Sequence, residues 1–341
     1  MSDKLSSKRP WSRRRKILIG ALVALVVLGL ALGLGLGLTL GSGHDDDNND
    51  DNQPPLSPLP SPNTTLPWTP RVNDTWQITL SHPPVVANAV TPDVSVFDVD
   101  LFDTPAATIA KLHSLGKKVL CYFSAGSYEN WRPDARDFSA SDLGKNLDNW
   151  PGEKWVKLGS DNVRGIMKKR IDMAKEKGCD GVDPDNVDGY ENDNGLGLTT
   201  NDSVQFMQYL SEVARPLNLS LGLKNGKAII SAVLPLVDFS VNEQCAQYGE
   251  CSDFQPFVAA GKPVFHIEYP GGDGDLQQSV ESSGFSEDTK KKYCTSQGST
   301  GFSTVLKKMS LDGWVEYCDG KVQATDTDET IGGHDQERRM T

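Results

Sequence analysis

Residues 181–190, GVDPDNVDGY, begin with apolar residues, continue into three aspartates, and decide the predicted fold. An amphipathic stretch over residues 163–177 precedes them, and a second over residues 203–214 follows. A short strand pattern between two helical patterns is typical of a parallel sheet whose strands are joined by helices. Because the chemistry of such folds lies where strands end, the aspartates mark a candidate active site.

The same alternation continues along the chain from residue 90 onward. Eight short runs of apolar or β-branched residues are predicted strands, and they cover residues 94–100, 118–124, 155–158, 181–185, 219–225, 239–243, 263–269 and 301–306. Helical patterns lie between them: one begins at Thr104-Pro105, and the others cover residues 163–177, 203–214 and 228–234.

Strands that alternate with helices, without an internal linker, predict an α/β fold with a single (β/α)8 TIM-like barrel over residues 66–320. An open doubly wound sheet is the alternative. That fold ordinarily carries a glycine-rich phosphate loop after its first strand, whereas residues 98–103 read DVDLFD. The barrel is therefore the favoured interpretation.

The predicted strand ends bring many polar and aromatic side chains to one rim of this barrel. In chain order they are Asp98, Asp100, Tyr122, Ser124, Gly126, Asp183, Asp185, Asn186, Asp188, Lys224, Asn225, Asn242, Glu243, His266, Glu268 and Tyr269. Chance explains such a clustering of acidic residues poorly, so the rim is the predicted site of function.

Several other enzyme classes are excluded because their motifs are missing. The sequence has no HExxH, paired CxxC, P-loop or GxSxG pattern, as metalloproteases, zinc sites, nucleotide hydrolases and serine hydrolases require. His266 is the one histidine at the rim, and a lone histidine is more often structural than catalytic. We expect neither a metal nor another cofactor.

Carboxylates remain as the candidate catalysts. Glycoside hydrolysis needs two of them, one to protonate the leaving oxygen and one to attack the sugar or activate water. Alternation along a strand places Asp183 and Asp185 on the same side. A calcium-binding loop is the alternative, but an EF-hand needs Gly at its sixth position and Glu at its twelfth, where this chain has Asp188 and Asn194.

Three groups of motifs resemble glycoside hydrolase family 114, the endo-α-1,4-polygalactosaminidases. They are DPDNVDGY at residues 183–190, CYFSAGS at 121–127 with WRPD at 131–134, and VNEQC at 241–245. The resemblance covers about residues 66–320, and the layout of the chain is similar to that of membrane-anchored fungal members. It implies a TIM-like barrel that cleaves within chains of α-1,4-linked galactosamine, as in galactosaminogalactan.

The resemblance also assigns roles to residues. It implies a retaining mechanism with Asp185, at the end of strand four, as the nucleophile and Glu243, at the end of strand six, as the general acid and base. The predicted substrate-binding residues are Asp98, Asp100, Tyr122, Ser124, Asp183, Asn186, Asp188, Tyr190, Lys224, Asn242, Glu268 and Tyr269. Of these, the carboxylates are expected to pair with amines, the tyrosines to stack on sugars, and Lys224 to order the carboxylates.

Three alternatives stay open at this point. Glu268 could be the nucleophile with Asp185 as the acid, as in many β-glycosidase barrels. The domain could instead be a glycosidase for another α-linked galacto-polysaccharide. From a different class, it could be a cell-wall carbohydrate-binding barrel without catalysis, although the presence of both Asp185 and Glu243 argues against that.

The charge of the chain is divided unevenly. The net charge of the whole chain is −12, and residues 1–16 carry +6, so the rest of the chain carries −18. Five of these negative charges lie in residues 41–65, which leaves −13 for residues 66–341. A negative domain concentrates a polycation and repels nucleic acid. We therefore expect a cationic galactosamine polymer as the partner, no nucleic-acid partner, and a monomer.

The N-terminal region predicts attachment to the cell membrane. Residues 1–16 form a basic cytoplasmic segment, and residues 17–40 are 24 uncharged residues, long enough for a transmembrane signal-anchor. Residues 41–65 form an Asp, Asn and Pro-rich disordered stalk, and residues 321–341 an acidic disordered tail. We therefore expect a single-pass type II membrane protein whose catalytic domain is extracellular and can be released by proteolysis. The alternative interpretation is that these residues form a signal peptide that is cleaved off.

Cysteines and glycosylation sequons fit a secretory route. Two cysteine pairs, Cys245 with Cys251 and Cys294 with Cys318, are predicted disulfides, and Cys121 and Cys179 are predicted buried thiols. Sequons for N-glycosylation begin at Asn63, Asn73, Asn201 and Asn218.

Overall fold

A computed structural model describes residues 56–63, 65–271 and 284–333. The basic segment 1–16, the anchor 17–40 and most of the stalk 41–65 lie outside this range, as do residues 334–341. Among the described residues, no helix combines the length and apolar character that crossing a bilayer requires.

Eight parallel strands follow one another around a curled sheet, consistent with a TIM-like barrel. They are β1 (Trp76–Thr79), β2 (Val96–Asp100), β3 (Lys118–Ser124), β7 (Gly181–Asp185), β8 (Ser220–Lys224), β9 (Phe239–Glu243), β10 (Val264–Glu268) and β11 (Ser303–Leu306). Two antiparallel strands, β12 (Trp314–Tyr317) and β13 (Val322–Ala324), extend the sheet beyond β11.

Side-chain hydrogen bonds connect the first parallel strand to the eighth. The indole N–H of Trp76 donates to the carbonyl oxygen of Ser303 at 2.8 Å, and the Ser303 hydroxyl donates to the carbonyl oxygen of Asp74 at 2.7 Å. The Tyr317 hydroxyl on β12 donates to the carbonyl oxygen of Trp76 at 3.0 Å. These contacts bring the two ends of the sheet together.

Helices cover the outside of the sheet. They are α1 (Ala106–Ser114), α2 (Asp161–Lys177), α3 (Thr200–Ala214), α4 (Ile230–Val233), α5 (Cys245–Tyr248), α6 (Gln255–Ala259) and α7 (Glu287–Cys294). The ends of the long helices follow from local sequence. Ser160 caps α2 by accepting from the backbone N–H of Asn162 and Val163, and Thr199 with Asp202 forms a capping box at α3.

Alternation along the strands divides the core into two parts. On β2, Phe97 and Val99 belong to the large cluster between sheet and helices. Val96 belongs to a second cluster with Ile78, Leu120 and other strand residues, which fills the interior of the curled sheet. The period of two therefore turns residues 98 and 100 toward the interior as well. The interior is apolar near the strand starts and polar near the strand ends.

One predicted barrel strand is wrong and another was missed. Residues 155–158 do not join the barrel: β6 (Glu153–Val156) pairs antiparallel with β4 (Ser127–Glu129) and β5 (Leu143–Asn146) in a separate three-stranded sheet inserted after β3. The missing barrel strand is β1, which precedes the region where the pattern began. A short apolar run alone does not reveal which sheet it joins.

The folded domain extends beyond both predicted boundaries. Residues 321–333 were expected to lie in a disordered tail, but β13 pairs with β12, and the backbone N–H of Gly333 donates to the carbonyl oxygen of Ser81 at 2.7 Å. At the other end, the N–H of Leu59 donates to the carbonyl oxygen of Ala232 at 2.9 Å. These segments are therefore part of the packed domain, because neighbouring backbone satisfies their polar groups.

All six cysteines are paired. The bonds Cys245–Cys251 and Cys294–Cys318 were predicted, whereas Cys121–Cys179 corrects the expectation of two buried thiols. The third bond joins β3 to Cys179, the second residue after α2, and a linear sequence does not display the spatial proximity of these two elements. It closes a chain segment of 58 residues, the longest of the three.

We expect the Cys121–Cys179 bond to contribute most to stability among the three disulfides. The loss of chain entropy in the unfolded state grows with loop length, and gives about 4 kcal/mol for this loop against about 2 kcal/mol for Cys245–Cys251. Replacing both cysteines by serine should lower the free energy of unfolding in urea accordingly. A smaller loss than that of the Cys245→Ser/Cys251→Ser variant would contradict this ranking.

Candidate active site

Three neighbouring strands end in the three charged residues at the centre of the site. Asp185 ends β7, Lys224 ends β8 and Glu243 ends β9. The next residue in each case, Asn186, Asn225 and Gln244 respectively, has a positive φ of 60°, 50° and 63°. Left-handed backbone is costly for residues other than glycine, and its repetition at three adjacent strand ends is typical of functional sites.

Lys224 bridges the two carboxylates. Its Nζ lies 3.3 Å from Asp185 Oδ2 and 3.3 Å from Glu243 Oε2. The lysine side chain is 2% exposed, whereas those of Asp185 and Glu243 are 16% and 24% exposed. Water and substrate therefore reach the carboxylates far more readily than the ammonium group behind them.

Further hydrogen bonds fix the Asp185 carboxylate. The Tyr122 hydroxyl donates to Oδ2 at 2.8 Å, and the backbone N–H of Asn186 donates to Oδ1 at 2.7 Å. Gly126 passes so close behind this turn that a Cβ there would lie 1.7 Å from the carbonyl oxygen of Asn186. The glycine in the CYFSAGS motif is thus required by backbone packing against the site.

The Glu243 carboxylate is held from the opposite side. The Tyr269 hydroxyl donates to Oε1 at 2.5 Å, and the Asn225 side-chain amide donates to Oε2 at 3.2 Å. The side-chain oxygen Oδ1 of Asn225 also accepts a hydrogen bond from the backbone N–H of Glu243 at 2.9 Å. Both carboxylates are thereby oriented by a tyrosine, an asparagine and the shared lysine.

Electrostatics set the charge of these groups. Burial opposes the charged form of Lys224, but four carboxylates, led by Asp185 and Glu243, hold its pKa well above the usual value. Burial would raise the pKa of Glu243, yet Lys224 and the hydrogen bonds from Tyr269 and Asn225 outweigh it and leave the pKa lowered. Burial and the neighbouring Asp185 raise the pKa of Tyr122, so it remains a neutral donor.

A second pair of carboxyl groups lies beneath Lys224. Asp98 on β2 and Asp183 on β7 are both 0% exposed. Burial and the facing Asp183 raise the pKa of Asp98 well above its usual value, and burial, against the pull of Lys224, raises that of Asp183 to about 7. Two buried carboxyl groups side by side share a proton rather than ionise together.

An open cavity of about 520 Å³ lies over the charged triad. Acidic and aromatic residues that the sequence patterns did not single out form much of its wall: Glu129, Asp148, Trp150, Glu153, Trp155, Glu191, Tyr248 and Glu250. Five of them come from the inserted three-stranded sheet and the turn between its strands β5 and β6, whose residues had been assigned to a barrel strand or to connections. The cavity is therefore wider and more acidic than the strand ends alone suggested.

Five of the twelve predicted substrate-binding residues line this cavity. They are Tyr122, Asn186, Asp188, Lys224 and Asn242. The seven that do not line it are Asp98, Asp100, Ser124, Asp183, Tyr190, Glu268 and Tyr269. Tyr269 nevertheless contacts the site through Glu243, whereas Asp98 and Asp183 lie below the lysine.

Burial and existing partners explain why Asp100 and Ser124 do not reach the cavity. Asp100 accepts two hydrogen bonds from the buried guanidinium of Arg132, at 3.1 and 2.7 Å, and caps the N–H groups of Phe102 and Asp103. Ser124 is 1% exposed, and its carbonyl oxygen accepts from Arg170 at 2.7 Å. Both residues therefore build the scaffold under the rim.

The direction of β10 excludes Glu268 from the site. Phe265 and Ile267 belong to the interior cluster, so His266 and Glu268 point to the outer face of the sheet. Glu268 is fully buried there, 2.8 Å from the Nε2 of His266, and accepts from the backbone N–H of Ala246 at 2.7 Å. The alternative in which Glu268 is the nucleophile is wrong, and His266 has a structural role.

One group of potential metal ligands occurs in the described part of the chain. Cys245, Cys251 and His266 bring their side-chain donor atoms within 4.8 Å of one another. The two cysteines form a disulfide, however, and a disulfide offers no thiolate to a metal. The cluster is therefore a covalent link beside the site.

Comparisons with known proteins agree with this geometry. The sequence model of glycoside-hydrolase family GH114 matches residues 57–323. The chain is 52% identical to Aspergillus fumigatus Ega3, whose structure was solved in complex with galactosamine, over 75% of this chain and 99% of that one, with a TM-score of 0.70. No curated protein sequence gives a significant match.

The fold is shared more widely. The glycoside hydrolase domain of PelA from Pseudomonas aeruginosa superposes with a TM-score of 0.52 over 74% of this chain and 99% of that one, at 13% identity. This likeness concerns the fold alone, whereas the family match across residues 57–323 identifies the enzyme class. This chain is a glycoside hydrolase and belongs to family GH114.

Proposed function

We propose that the protein is an endo-acting hydrolase that cleaves α-1,4-linked galactosamine in galactosaminogalactan-type polysaccharides. The observation that carries the proposal is the pair Asp185 and Glu243, bridged by one lysine at the floor of an open, acidic cavity. The galactosamine bound to the 52% identical Ega3 supports the choice of sugar. A cavity open to solvent suits a polymer that is cut within its length.

The spacing of the carboxylates supports a retaining mechanism. Asp185 Oδ2 and Glu243 Oε2 each lie 3.3 Å from Lys224 Nζ, so these two oxygens are at most about 6.6 Å apart. Retaining glycosidases hold their carboxyl groups about 5–5.5 Å apart, whereas inverting ones need room for a water between them. The geometry therefore favours direct attack on the sugar.

In this mechanism Asp185 attacks the anomeric carbon while Glu243 protonates the departing glycosidic oxygen. A covalent glycosyl ester on Asp185 results, and Glu243 then takes a proton from water as that water displaces the carboxylate. Tyr122 and Asn186 orient Asp185 through the hydrogen bonds described above. Lys224 stabilises the negative charge of the pair throughout.

The lowered pKa of Glu243 has a consequence for the first step. The free enzyme holds this residue ionised, because Lys224, Tyr269 and Asn225 all favour its charged form. Acid catalysis requires the proton, so Glu243 takes it up as substrate binds. A sugar in the cleft removes the water that stabilises the exposed part of the carboxylate, and desolvation raises a carboxyl pKa.

Charge supplies the selectivity for the polymer. Unsubstituted galactosamine units are ammonium ions near neutral pH, and the cavity wall offers them carboxylates at Asp148, Asp188, Glu191 and Glu250. N-acetylation removes that charge. A galacturonic acid polymer has a similar linkage and the opposite charge, which makes it a matched control.

The test is incubation of the protein with α-1,4-galactosamine oligomers, with their N-acetylated forms and with α-1,4-galacturonic acid oligomers. We expect internal cleavage of the galactosamine series alone, at a rate that falls as salt screens the cleft. Equal cleavage of the N-acetylated or galacturonic acid oligomers would assign the enzyme to another galacto-polysaccharide. Binding without any cleavage would instead support the carbohydrate-binding alternative.

Asp188 should give substrate binding a pH dependence. Burial, reinforced by Asp185 and Glu191, raises the pKa of Asp188 to about 7. Below that pH the carboxyl group is neutral, and above it the negative charge attracts the substrate ammonium group. We therefore expect KM to fall as the pH rises from about 6 to about 7.5. In the Asp188→Asn variant, this fall in KM should be absent. An unchanged KM profile in the variant would assign the pH dependence to another group.

We also propose that residues 17–40 anchor the enzyme in the cell membrane, with the catalytic domain outside. The uncharged 24-residue segment, the basic residues before it and the acidic ones after it support this orientation. Three disulfides in the domain fit an oxidising compartment. Membrane fractionation with and without residues 1–40 tests the proposal, and recovery of the full chain in the soluble fraction would contradict it.

A further inference from the structure

Tyr248 is exposed to an unusual degree. Among the described residues, the large hydrophobic side chains that are exposed are Tyr248, at 62%, and Val85, at 51%. Tyr248 lines the cavity that contains Asp185 and Glu243, whereas Val85 does not. A ligand in the cleft that covers this ring would remove apolar surface from water, which favours binding.

The backbone that carries this ring is constrained by a disulfide and by hydrogen bonds. Tyr248 ends α5, the short helix inside the loop that Cys245–Cys251 closes. The N–H of Tyr248 donates to the carbonyl oxygen of Gln244 at 3.1 Å, and the N–H of Glu250 donates to that of Cys245 at 2.8 Å. Such a loop loses little backbone freedom when a ligand binds, and a tyrosine has only two side-chain torsions to fix, which favours stacking.

Charged neighbours define what the ring can bind. Glu250 follows two residues later and forms an ion pair with Lys227, and Glu191 also acts on that lysine. The two carboxylates outnumber the one cation, so this end of the cleft is negative. The ion pair of Lys227 with Glu250 shows that an ammonium group fits beside this carboxylate.

We propose that Tyr248 forms a sugar-binding subsite, separate from the catalytic pair, that stacks on a galactosamine ring of the polymer. The face of a galactosamine ring is apolar and can stack on Tyr248. Its ammonium group is attracted by the aromatic face and by the net negative charge of Glu191 and Glu250 beside Lys227. This inference rests on the proposed function, since it concerns the same cleft and the same polymer. It assigns a role in chain binding to a residue that takes no part in bond cleavage.

The subsite predicts an effect on substrate affinity that depends on oligomer length. Tyr248→Ala should raise KM for long galactosamine oligomers about 3- to 10-fold, with kcat unchanged, and should shift the sizes of the products. The shortest cleaved oligomers, which do not reach the subsite, should show no change. Tyr248→Phe keeps the ring and should behave as wild type, and Val85→Ala is the matched control outside the cavity.

The possible outcomes separate this inference from the proposed function. If wild type cleaves the oligomers and Tyr248→Ala gives the same KM and the same product sizes, the subsite is refuted while the hydrolase stands. The same rise in KM for oligomers of every length would also overturn it, because a general effect on the cleft does not require a distal subsite. Failure of wild type to cleave any galactosamine oligomer would remove both proposals.

Discussion

Asp185→Asn should lower kcat on galactosamine oligomers by about four orders of magnitude. The amide cannot form the glycosyl ester, and it also loses the charge that faces Lys224 at 3.3 Å. The remaining rate would come from binding and from the residues that surround the reacting bond. Initial rates from reducing-end assays, with circular dichroism to confirm folding, measure the loss.

Asp183→Asn is the matched control for this variant. It makes the same chemical change two residues earlier on β7, but Asp183 is fully buried below Lys224 and does not line the cavity. Because the amide has nearly the same shape and does not touch the reacting bond, we expect a loss of roughly tenfold or less. Comparable losses in both variants would show that Asp185 acts through the buried charge network and not as the nucleophile.

Added azide distinguishes the roles of the two catalytic carboxylates. In Asp185→Asn, azide can attack the sugar directly and gives a glycosyl azide of inverted configuration. In Glu243→Gln, an aryl galactosaminide whose leaving group needs no proton still forms the covalent intermediate. Azide can displace Asp185 from that intermediate without base assistance, so the product retains the configuration. The opposite pattern would exchange the two roles.

Lys224→Met should lower activity at least 100-fold at pH 6 and move the pH profile to higher pH. Lys224 lowers the pKa of both Glu243 and Asp183, and its removal leaves four carboxyl groups around an uncharged side chain. Without the cation, the cluster takes up protons at neutral pH, and the catalytic pair loses negative charge. Raising the pH removes those protons, so part of the activity should return.

Lys224→Arg serves as the control for charge. It keeps the positive charge but changes the position of its donors, so we expect an intermediate rate with a pH profile close to that of wild type. A pH profile of Lys224→Met that coincides with that of wild type would contradict the electrostatic role. Thermal unfolding of each variant separates this effect from a loss of fold.

The central strands and their end residues could be predicted from the sequence, because their patterns are local. The predicted bounds of β3, β7 and β9 agree with the structure. The sequence pattern also predicted the charged residue that ends each of β7, β8 and β9. Alternation then placed Asp185 on the interior side. Local pattern and position at a strand end were sufficient for the core of the site.

Other features depend on contacts that a linear pattern does not contain. The strand at Glu153–Val156 has the composition of a barrel strand, but its partners are β4 and β5 of the inserted sheet. Glu268 was predicted at the rim because the sequence does not show which side chains of β10 face the interior. In the structure, Phe265 and Ile267 take the interior positions, so Glu268 lies on the outer face. The Cys121–Cys179 bond and the acidic cavity wall likewise arise from segments that meet only in the folded chain.

The most direct test of the central claim compares wild type with Glu243→Gln on α-1,4-galactosamine oligomers, with the products identified by mass spectrometry. The bridged pair of Asp185 and Glu243 predicts shorter oligomers from wild type and intact oligomers from the variant. Equal cleavage by both proteins would contradict the assignment of Glu243 as half of the catalytic pair, and intact oligomers with both would contradict the substrate.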